Sequence, residues 1–462
     1  MIISIILAAG EGKRMKSKIP KVLHKMCGKP LLSYVIKASE AAGINKNVII
    51  ISNGSKDLVE SVKDETVIFK EQPVGENVPY GTGFAVMQGK DYIKDDDYVV
   101  ILYGDTPLIK GDTLKDLVKY HIEKENQGTV LTAFFENPTG YGRILYDEKG
   151  ELLKIVEEKD ADEEEKKIKE INSGMYCFNG KALRESLDKI HRDNAQGEYY
   201  ITDVIEILKR ENLRVGVYRA QDNTEIFGVN SKVQLAQADM IMRKRVNEKL
   251  MEQGVIIINP GNTYIESGVK IGEDTMIYPG TFLEGNTEIG ENCIIGHDSR
   301  IVDSKIEDEV EIQSSTIIES TVGNNSTIGP YAYLRPNSHI GKNVKIGDFV
   351  EVKNSTIGDY SKASHLSYIG DATVGKKVNV GCGVVFVNYN GKIKQRTLVG
   401  DNAFIGSNSN LVAPVKVEKW GYIAAGSTIT DAVNEYDLSI ARARQVNKKD
   451  WVIKKGFVKD NK

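Results

Sequence analysis

The spacing of apolar residues along the chain changes near residue 255. Before that point, short apolar, β-rich runs alternate with segments that have the periodicity of helices. Ile2–Leu7, Val48–Ile51 and Tyr98–Leu102 are such runs, and Leu31–Gly43 has the helical pattern. This alternation predicts an α/β fold with a mostly parallel sheet and helices on both of its faces.

A longer helix is predicted over Ser231–Gly254, with many charged residues and one apolar side. Gly254 is a plausible C-terminal stop, because glycine readily ends a helix. We interpret this segment as a connection, so the predicted parts are residues 1–232, a linker helix over 233–254, and residues 255–462. The apolar positions of the helix are Leu235, Met242, Val246 and Leu250.

Beyond the helix, aliphatic residues recur at every sixth position over most of the chain. The first of them are Ile265, Ile271, Ile277, Leu283, Ile289, Ile295 and Ile301. A triangular parallel β-helix explains this period, because each six-residue unit forms one side and points its aliphatic residue into the prism. The register is blurred over 302–321 and resumes at Val322. The stretch Val387–Leu398 does not fit the repeat and is expected to loop out.

Composition excludes several function classes. The net charge of −4 over 462 residues predicts no general attraction to nucleic acid or to anionic membranes. No run approaches the roughly 18 apolar residues of a membrane span, and Met1–Gly10 lacks the basic start of a signal peptide. Scattered cysteines without a CxxC pair predict free thiols in a reducing cytoplasm and argue against zinc. They are Cys27, Cys177, Cys293 and Cys382.

A glycine-rich segment, residues 7–15, follows the first predicted strand. Small residues let consecutive backbone amides approach phosphate oxygens, and Lys13, Arg14 and Lys21 add positive charge. Glycines alone also allow a dinucleotide-binding turn or a turn without a ligand, although the GxGxxG spacing is absent.

Further motifs narrow the interpretation of this glycine-rich segment. Residues 7–15 followed by Pro20–Leu23 resemble the nucleotidyltransferases that make nucleoside-diphosphate sugars. The same resemblance extends to residues 103–108, 137–143, 155–159, 170–174 and 228–230. With the six-residue repeats, nearly the whole chain resembles the bacterial bifunctional N-acetylglucosamine-1-phosphate uridyltransferases/glucosamine-1-phosphate N-acetyltransferases. The resemblance implies a Rossmann-like nucleotidyltransferase domain, a left-handed parallel β-helix and a homotrimer.

For the first half, the resemblance implies uridylyl transfer from UTP to N-acetylglucosamine 1-phosphate with release of pyrophosphate. Arg14 and Lys21 would act on the phosphates, while Asp105 and Asn230 would hold Mg²⁺. Asp105 also follows a predicted parallel strand, at the edge where such sheets bind ligands. Taken singly, Asp105 could cap a turn, and Arg14 and Lys21 could be solvated charges. The implied nucleotide- and sugar-binding residues are Leu7, Ala8, Ala9, Gly10, Lys21, Gln72, Gly81, Thr82, Tyr103, Gly104, Asp105, Gly140, Glu157, Asn172 and Asn230.

This half departs from the family pattern at two places. The segment from Gln72 to Gly81 is longer than usual, and Phe84 stands where histidine is common. The first departure puts the role of Gln72 in doubt.

For the second half, the resemblance implies acetyl transfer from acetyl-CoA to glucosamine 1-phosphate. His365 would accept the proton of the attacking amine, a task that suits an imidazole, although a histidine on a coil edge can also be ordinary surface. Glu351 could orient His365 or stabilise its protonated form. Arg335, Lys353, Tyr368 and Asn379 would bind the sugar phosphate. The implied acetyl-CoA residues are Cys382, Asn388, Tyr389, Ser407, Ala425 and Arg442.

The second half also departs from the family. Asn390 stands where aspartate is usual, and Cys382 where alanine is usual. Cys382 could act as a catalytic thiol, but a small buried residue is its expected role.

Two other functions remain open at the level of sequence. One is a single-activity nucleotidyltransferase whose β-helix only builds the oligomer, and the other is a regulatory nucleotide-sugar-binding protein. A structural prism has no need of His365, Arg335 and Lys353, and a binding protein has no need of two metal ligands.

Overall fold

The structure is a computed structural model that describes residues 1–10, 12–52, 62, 67–75 and 78–458. It divides into two compact units, Met1–Arg243 and Lys244–Lys462. None of the helices in the described ranges is long and apolar enough to cross a membrane.

The first unit is built on a mixed sheet. The strands are β1 Ile2–Leu7, β2 Lys25–Met26, β3 Lys29–Pro30, β4 Asn47–Ser52, β5 Val67–Gln72, β6 Tyr98–Tyr103, β7 Gly128–Phe134, β8 Gly142–Tyr146, β9 Leu152–Val156, β10 Glu170–Asn179 and β11 Val215–Arg219. The strand order in the sheet is β11-β7-β10-β6-β1-β4-β5. Strand β1 pairs in parallel with β4 and β6, whereas β10 runs antiparallel to β6 and β7. The helices are α1 Leu31–Ala41, α2 Thr82–Met87, α3 Gly111–Glu123, α4 Gly180–Leu187, α5 Asp203–Arg210 and α6 Lys232–Glu252.

Helices cover both faces of this sheet, as predicted. Ile3 and Ile5 of β1 belong to one hydrophobic cluster, while Ile6 packs in another with residues of α1 and α3. Alternate side chains of a strand point to opposite faces, so a strand buried on both sides is apolar throughout.

Helix α6 confirms the predicted long helix, and Gly254 follows it with a φ of +94°. Its first turns belong to the first unit, because Ala238 and Leu235 pack in a cluster with Met26 and Val229. The division between the units falls inside the helix. The functional boundaries at 232 and 254 remain a prediction.

The second unit confirms the predicted β-helix. Over residues 256–439, all of which the structure describes, the strands form three parallel sheets that each take about every third strand. The strands are β12 Ile256–Ile257, β13 Tyr264–Ile265, β14 Lys270–Ile271, β15 Met276–Ile277, β16 Phe282–Glu284, β17 Glu288–Ile289, β18 Ile294–Ile295, β19 Arg300–Val302, β20 Lys305–Ile306, β21 Glu311–Ile312, β22 Thr316–Ile318, β23 Thr321–Val322, β24 Thr327–Ile328, β25 Tyr333–Leu334, β26 His339–Ile340, β27 Lys345–Asp348, β28 Glu351–Lys353, β29 Thr356–Ile357, β30 Lys362–His365, β31 Tyr368–Gly370, β32 Ala372–Val374, β33 Asn379–Val380, β34 Val385–Val387, β35 Thr397–Val399, β36 Phe404–Ile405, β37 Asn410–Val412, β38 Val415–Val417, β39 Tyr422–Ile423, β40 Thr428–Ile429 and β41 Leu438–Ser439, followed by α7 Trp451–Lys454.

The stretch 302–321, where the repeat is blurred in the sequence, continues the prism without a break. Ile306, Ile312 and Ile317 are fully buried in the same core as Ile301 and Val322. Several steps there contain five residues instead of six, which shifts the spacing but keeps the inward positions. The expected excursion is also present, since the chain leaves the prism between β34 and β35, over residues 388–396.

Candidate active sites

The first unit contains a cavity of about 430 Å³ at the carboxyl ends of β1 and β6, within the range of small-molecule sites. The sequence-predicted residues in its wall are Leu7, Ala8, Ala9, Gly10, Arg14, Lys21, Gln72, Gly81, Thr82, Tyr103, Asp105, Gly140 and Asn230. Gly104 lies behind this wall. Its amide donates to the Leu7 carbonyl over 2.9 Å, and a Cβ there would meet the side chains of Val22 and Leu32.

Three distant segments meet at one cation in this cavity. The Lys21 ammonium donates hydrogen bonds to the Asp105 carboxylate and, over 3.0 Å, to the amide oxygen of Asn230. Lys21 opens the turn after Pro20, Asp105 follows β6, and Asn230 precedes α6. Gln234 of α6 accepts a hydrogen bond from the Asn230 amide over 2.9 Å, which holds that residue at the start of the helix.

Asp105 and Asn230 are therefore able to hold a metal ion. A carboxylate oxygen and an amide oxygen that converge on one positive charge form the hard donor set that Mg²⁺ prefers. That ion usually takes few protein ligands and completes its shell with water and phosphate oxygens.

Glu157 and Asn172 lie on either side of Gly142, beyond the cavity wall. A Cβ on Gly142 would be 3.4 Å from both side chains. Burial raises the pKa of Glu157, although a hydrogen bond with Thr202 opposes the shift. Asn172 donates to the Tyr176 hydroxyl over 2.8 Å and accepts from the Gly174 amide over 3.0 Å. Both polar groups are thus fixed at one end of the site.

The backbone conformation of Gly81 explains why glycine stands there. Its φ is +119°, and a Cβ would lie 2.3 Å from the Tyr199 carbonyl oxygen. The Tyr199 amide donates to the Tyr80 carbonyl, and the Gly83 amide donates to the Tyr199 carbonyl. These bonds clamp the segment that carries Glu198 against the predicted uracil side of the cavity.

Sequence reasoning missed part of this wall. Thr106, Thr139, Tyr141 and Gly228 lie inside motifs already noted, so those motifs were the available signal. Glu198 and Gln234 carry no such signal, because only the clamp and helix α6 bring them to the cavity. The missed polar or aromatic residues are Tyr80, Thr106, Thr139, Tyr141, Ser173, Glu198 and Gln234.

In the second unit, His365 faces a carboxylate on the neighbouring coil. His365 ends β30, Asp348 ends the parallel partner β27, and the two residues are register partners. The Nδ1 atom of His365 lies 2.7 Å from Oδ1 of Asp348.

The expectation that Glu351 orients His365 is wrong. Glu351 lies past the corner at Phe349, on a strand of the next sheet, and accepts a hydrogen bond from Arg335 Nη1 over 2.8 Å. The corner therefore gives the two carboxylates different partners.

His365 belongs to a column of residues that precede the same corner on successive coils. Backbone hydrogen bonds link Leu366 to Asp348, Gly383 to Leu366, Asn408 to Cys382 and Gly426 to Ser407. The column aligns residues predicted for acetyl transfer and acetyl-CoA binding, and Arg442 lies beside its end, close to Gly426. Its members are Asp348, His365, Cys382, Ser407 and Ala425.

Cys382 corrects a second expectation, because its side chain is exposed and not buried. Val380 and Phe386 occupy the inward positions of this coil, so the residue between Gly381 and Gly383 faces outward. Asn379 begins β33, directly beside β30 in the same sheet.

A cluster of charges lies where the looped-out segment returns to the prism. The contact with Lys394, together with burial, lowers the pKa of Lys353, whereas the charge of Asp371 opposes this shift. Asp371 is buried and accepts hydrogen bonds from the side-chain amides of Asn354 and Asn388. Burial raises its pKa, but these bonds and the two lysines hold it below the ordinary value.

The same cluster joins residues predicted for different substrates. Asn388 also donates to the Tyr368 hydroxyl over 3.3 Å. Tyr389, on the outer part of the excursion, pairs with Lys394 in an isolated bridge and is exposed. Lys394 was missed in the sequence, because only the return of the excursion brings it to Lys353.

Comparisons with known proteins agree for both units. The nucleotidyl transferase family model matches residues 3–223, and the bacterial transferase hexapeptide model, of six repeats, matches residues 268–303 and 319–354. The bifunctional protein GlmU of Clostridioides difficile strain 630 is 58% identical over 452 residues, which cover 98% of this chain and 97% of the relative. The bifunctional protein GlmU of Acetivibrio thermocellus is 52% identical over 463 residues, which cover 100% of this chain and 99% of the relative.

Proposed function

Because this chain belongs to the family of bifunctional GlmU proteins, we propose that it catalyses two successive transfers on an amino-sugar phosphate. It acetylates glucosamine 1-phosphate with acetyl-CoA, and it then joins N-acetylglucosamine 1-phosphate to the uridylyl group of UTP. The products are UDP-N-acetylglucosamine, CoA and pyrophosphate. The observation that carries the proposal is the presence of two chemically different sites in one chain.

In the first unit, the phosphate oxygen of the sugar attacks the α-phosphorus of UTP. A new P–O bond forms, the bond to the bridging oxygen breaks, and pyrophosphate leaves with the negative charge. Arg14 and Lys21 line the cavity and are assigned to bind the phosphates and to offset this charge. Positive groups held close to the leaving group stabilise the transition state more than the ground state.

The donor set of Asp105 and Asn230 fits Mg²⁺, and these two residues would hold it. When bound, the ion supplies charge neutralisation at the phosphate oxygens. Lys21 contacts both side chains, so the metal ligands and the phosphate-binding cation form one cluster.

The two ends of the cavity are assigned to the two parts of the nucleotide sugar. Gln72, Gly81 and Thr82 lie on the uracil side, with the backbone of residues 7–10 close by. The sugar and its acetamido group are assigned to Gly140, Glu157 and Asn172. The clamp between Tyr80 and Tyr199 supports a rigid wall beside the uracil.

In the second unit, the amine of glucosamine 1-phosphate attacks the thioester carbon of acetyl-CoA. An N–C bond forms as His365 accepts the amine proton, and the C–S bond breaks. The thiolate leaves and is protonated to the free thiol. Removing the proton during attack prevents the build-up of positive charge on nitrogen.

The substrates of this transfer are assigned to the neighbouring groups. Arg335, Lys353, Tyr368 and Asn379 bind the sugar phosphate, and the contact of Lys394 with Lys353 supports adding Lys394 to them. Acetyl-CoA is assigned to the column and to the excursion beside it, through Cys382, Asn388, Tyr389, Ser407, Ala425 and Arg442.

We also propose a cytoplasmic homotrimer in which a second chain completes the acetyl-transfer site. Tyr331, Phe349 and Leu366 stand at the same corner of successive coils and are each more than half exposed. A stripe of apolar side chains next to His365 is costly in water, and a neighbouring subunit would cover it. The cytoplasm supplies both UTP and acetyl-CoA.

The test is a pair of assays on one preparation. Pyrophosphate release is followed with UTP and N-acetylglucosamine 1-phosphate, and thiol release with acetyl-CoA and glucosamine 1-phosphate. Release of pyrophosphate without thiol would indicate a single-activity nucleotidyltransferase. Release of neither product would indicate a binding protein without catalytic activity. Light scattering during the same assays tests the trimer, which a fully active monomer would refute.

A further inference from the structure

We propose that Asp348 is a positioning residue for acetyl transfer, holding the His365 imidazole in the tautomer that accepts the proton of the substrate amine. The inference rests on the acetyltransferase activity proposed above. The sequence pointed to Glu351 as the carboxylate beside His365, and not to Asp348.

The backbone sets the two side chains opposite each other. Strands β27 and β30 run in parallel, and the register pairs Lys345 with Lys362 and Asp348 with His365. At the corner, the Leu366 amide donates to the Asp348 carbonyl over 2.9 Å, which fixes the chain immediately after both residues. The 2.7 Å contact between Oδ1 and Nδ1 therefore follows from the stacking of two coils.

The charge of Asp348 decides which ring nitrogen carries the proton. The hydrogen bond with His365 lowers the pKa of Asp348, and Lys345 on the same strand adds to this shift. An ionised carboxylate only accepts hydrogen bonds, so Nδ1 must be the donor. In the neutral ring, the lone pair then lies on Nε2, on the opposite side of the imidazole.

The surrounding charged groups are already partnered or belong to other faces. Arg335 pairs with Glu351 on the second sheet, and Lys353 contacts Lys394 farther along the same face. Lys362, at the other end of β30, is exposed. Among the described residues near His365, Asp348 is thus the carboxylate that reaches its ring.

A simple surface ion pair is the alternative role of this contact. Both side chains are about half exposed, 58% for His365 and 41% for Asp348, and exposed pairs add little stability. A purely structural role therefore predicts almost no effect of substitution on activity or on the tautomer. A positioning role predicts a large effect on turnover with unchanged stability.

The decisive variant is Asp348→Asn, which keeps the shape of the side chain but can donate to Nδ1. Such a donor favours the Nε2–H tautomer and removes the basic lone pair from the substrate side. We expect kcat for thiol release to fall roughly tenfold or more, as for loss of a general base's orientation. KM for both substrates should stay within about threefold, because the binding groups are elsewhere.

Two further readouts separate positioning from a structural contact. Asp348→Glu should recover part of the turnover lost in Asp348→Asn, since it restores an accepting carboxylate. In ¹⁵N-labelled protein, the His365 ring should change from Nδ1–H in the parent to Nε2–H in Asp348→Asn.

The matched control is Asp298→Asn, which alters another exposed carboxylate beside a histidine, His297, at 3.2 Å. This variant should retain both activities, and pyrophosphate release should be normal in every variant. Thiol release by Asp348→Asn within about threefold of the parent, with the His365 ring still in the Nδ1–H form, would overturn the inference. If the parent itself released no thiol from acetyl-CoA and glucosamine 1-phosphate, the proposed function of the unit would fail instead.

Discussion

The Lys21 ammonium donates a 3.0 Å hydrogen bond to the Asn230 side chain across 209 positions of the sequence. It also contacts the Asp105 carboxylate, so the proposed nucleotidyl site is assembled from the start, the middle and the end of the first unit. This arrangement makes the three side chains interdependent. Loss of one acceptor leaves a charged neighbour without its partner inside a cavity.

Asp105→Ala should abolish most uridylyl transfer, because it removes a proposed metal ligand and the partner of Lys21. A fall of about 10² or more in pyrophosphate release is expected for loss of such electrostatic stabilisation. Thiol release should remain normal. Asp112→Ala, an exposed carboxylate in the first turn of α3, is the control. Near-normal pyrophosphate release by Asp105→Ala would refute the metal assignment.

A fragment that ends at residue 243 should make nucleotide sugar, whereas one that ends at 232 should not. The longer fragment keeps Gln234, which holds Asn230, and Asp239, which accepts from the Cys27 amide over 2.8 Å. It also keeps Leu235 and Ala238 of the buried cluster. Circular dichroism and pyrophosphate release are measured on both. Equal activity would mean that the predicted boundary at 232 is sufficient.

His365→Ala should lower acetyl-transfer turnover by about 10²–10⁴, the usual contribution of a general base. KM for acetyl-CoA should change little, since acetyl-CoA binding is assigned to other residues. His339→Ala alters another exposed histidine of the β-helix, which is hydrogen-bonded to Thr321. This variant should leave both activities unchanged. If pyrophosphate release falls together with thiol release, the histidine supports the structure and not the chemistry.

Lys394→Ala should raise KM for glucosamine 1-phosphate by about tenfold, because it removes a charge close to the proposed phosphate site. The turnover number should change less. Lys392→Ala removes an equal charge from the same excursion and serves as the control. The result is read from thiol release at varied sugar phosphate, and equal effects of both variants would indicate only a general loss of positive charge.

The first unit should lose stability as the pH falls from 6.5 to about 4. Burial lowers the pKa of His121 from 6.5 to about 4, so the unfolded chain binds the proton first. The free energy of unfolding falls by about 3 kcal/mol once His121 is fully protonated. Burial and the charge of Lys232 lower the pKa of His24 in the same direction.

Asp203 opposes this trend, because burial raises its pKa to about 6. The measurement is therefore a difference between His121→Gln and the parent in urea unfolding between pH 4.5 and 7.5. The variant should show the flatter dependence, with His297→Gln, an exposed histidine of the second unit, as control. Parallel curves for variant and parent would show that His121 does not titrate in this window.

Several features of the fold follow from local spacing and were predicted. Ile265, Leu283 and Ile301 lie in the prism core because a side of six residues repeats the same direction at each coil. Asp105 lies at the carboxyl edge of the sheet because a turn must follow a buried strand. These positions are set by which apolar side chains are buried, and the local spacing of apolar residues in the sequence already predicts that.

Side-chain partners depend on register between segments that are far apart, and only the tertiary structure decided them. Asp348 reaches His365 because 17 residues separate equivalent positions on the two neighbouring coils. Glu351, to which the sequence pointed, lies past a corner of the prism and pairs with Arg335 instead. Lys394 meets Lys353 because of where the chain leaves and re-enters the prism. The apolar period therefore determined the scaffold, whereas hydrogen-bond partners required the folded coils, since a bond of about 3 Å tolerates no error in register.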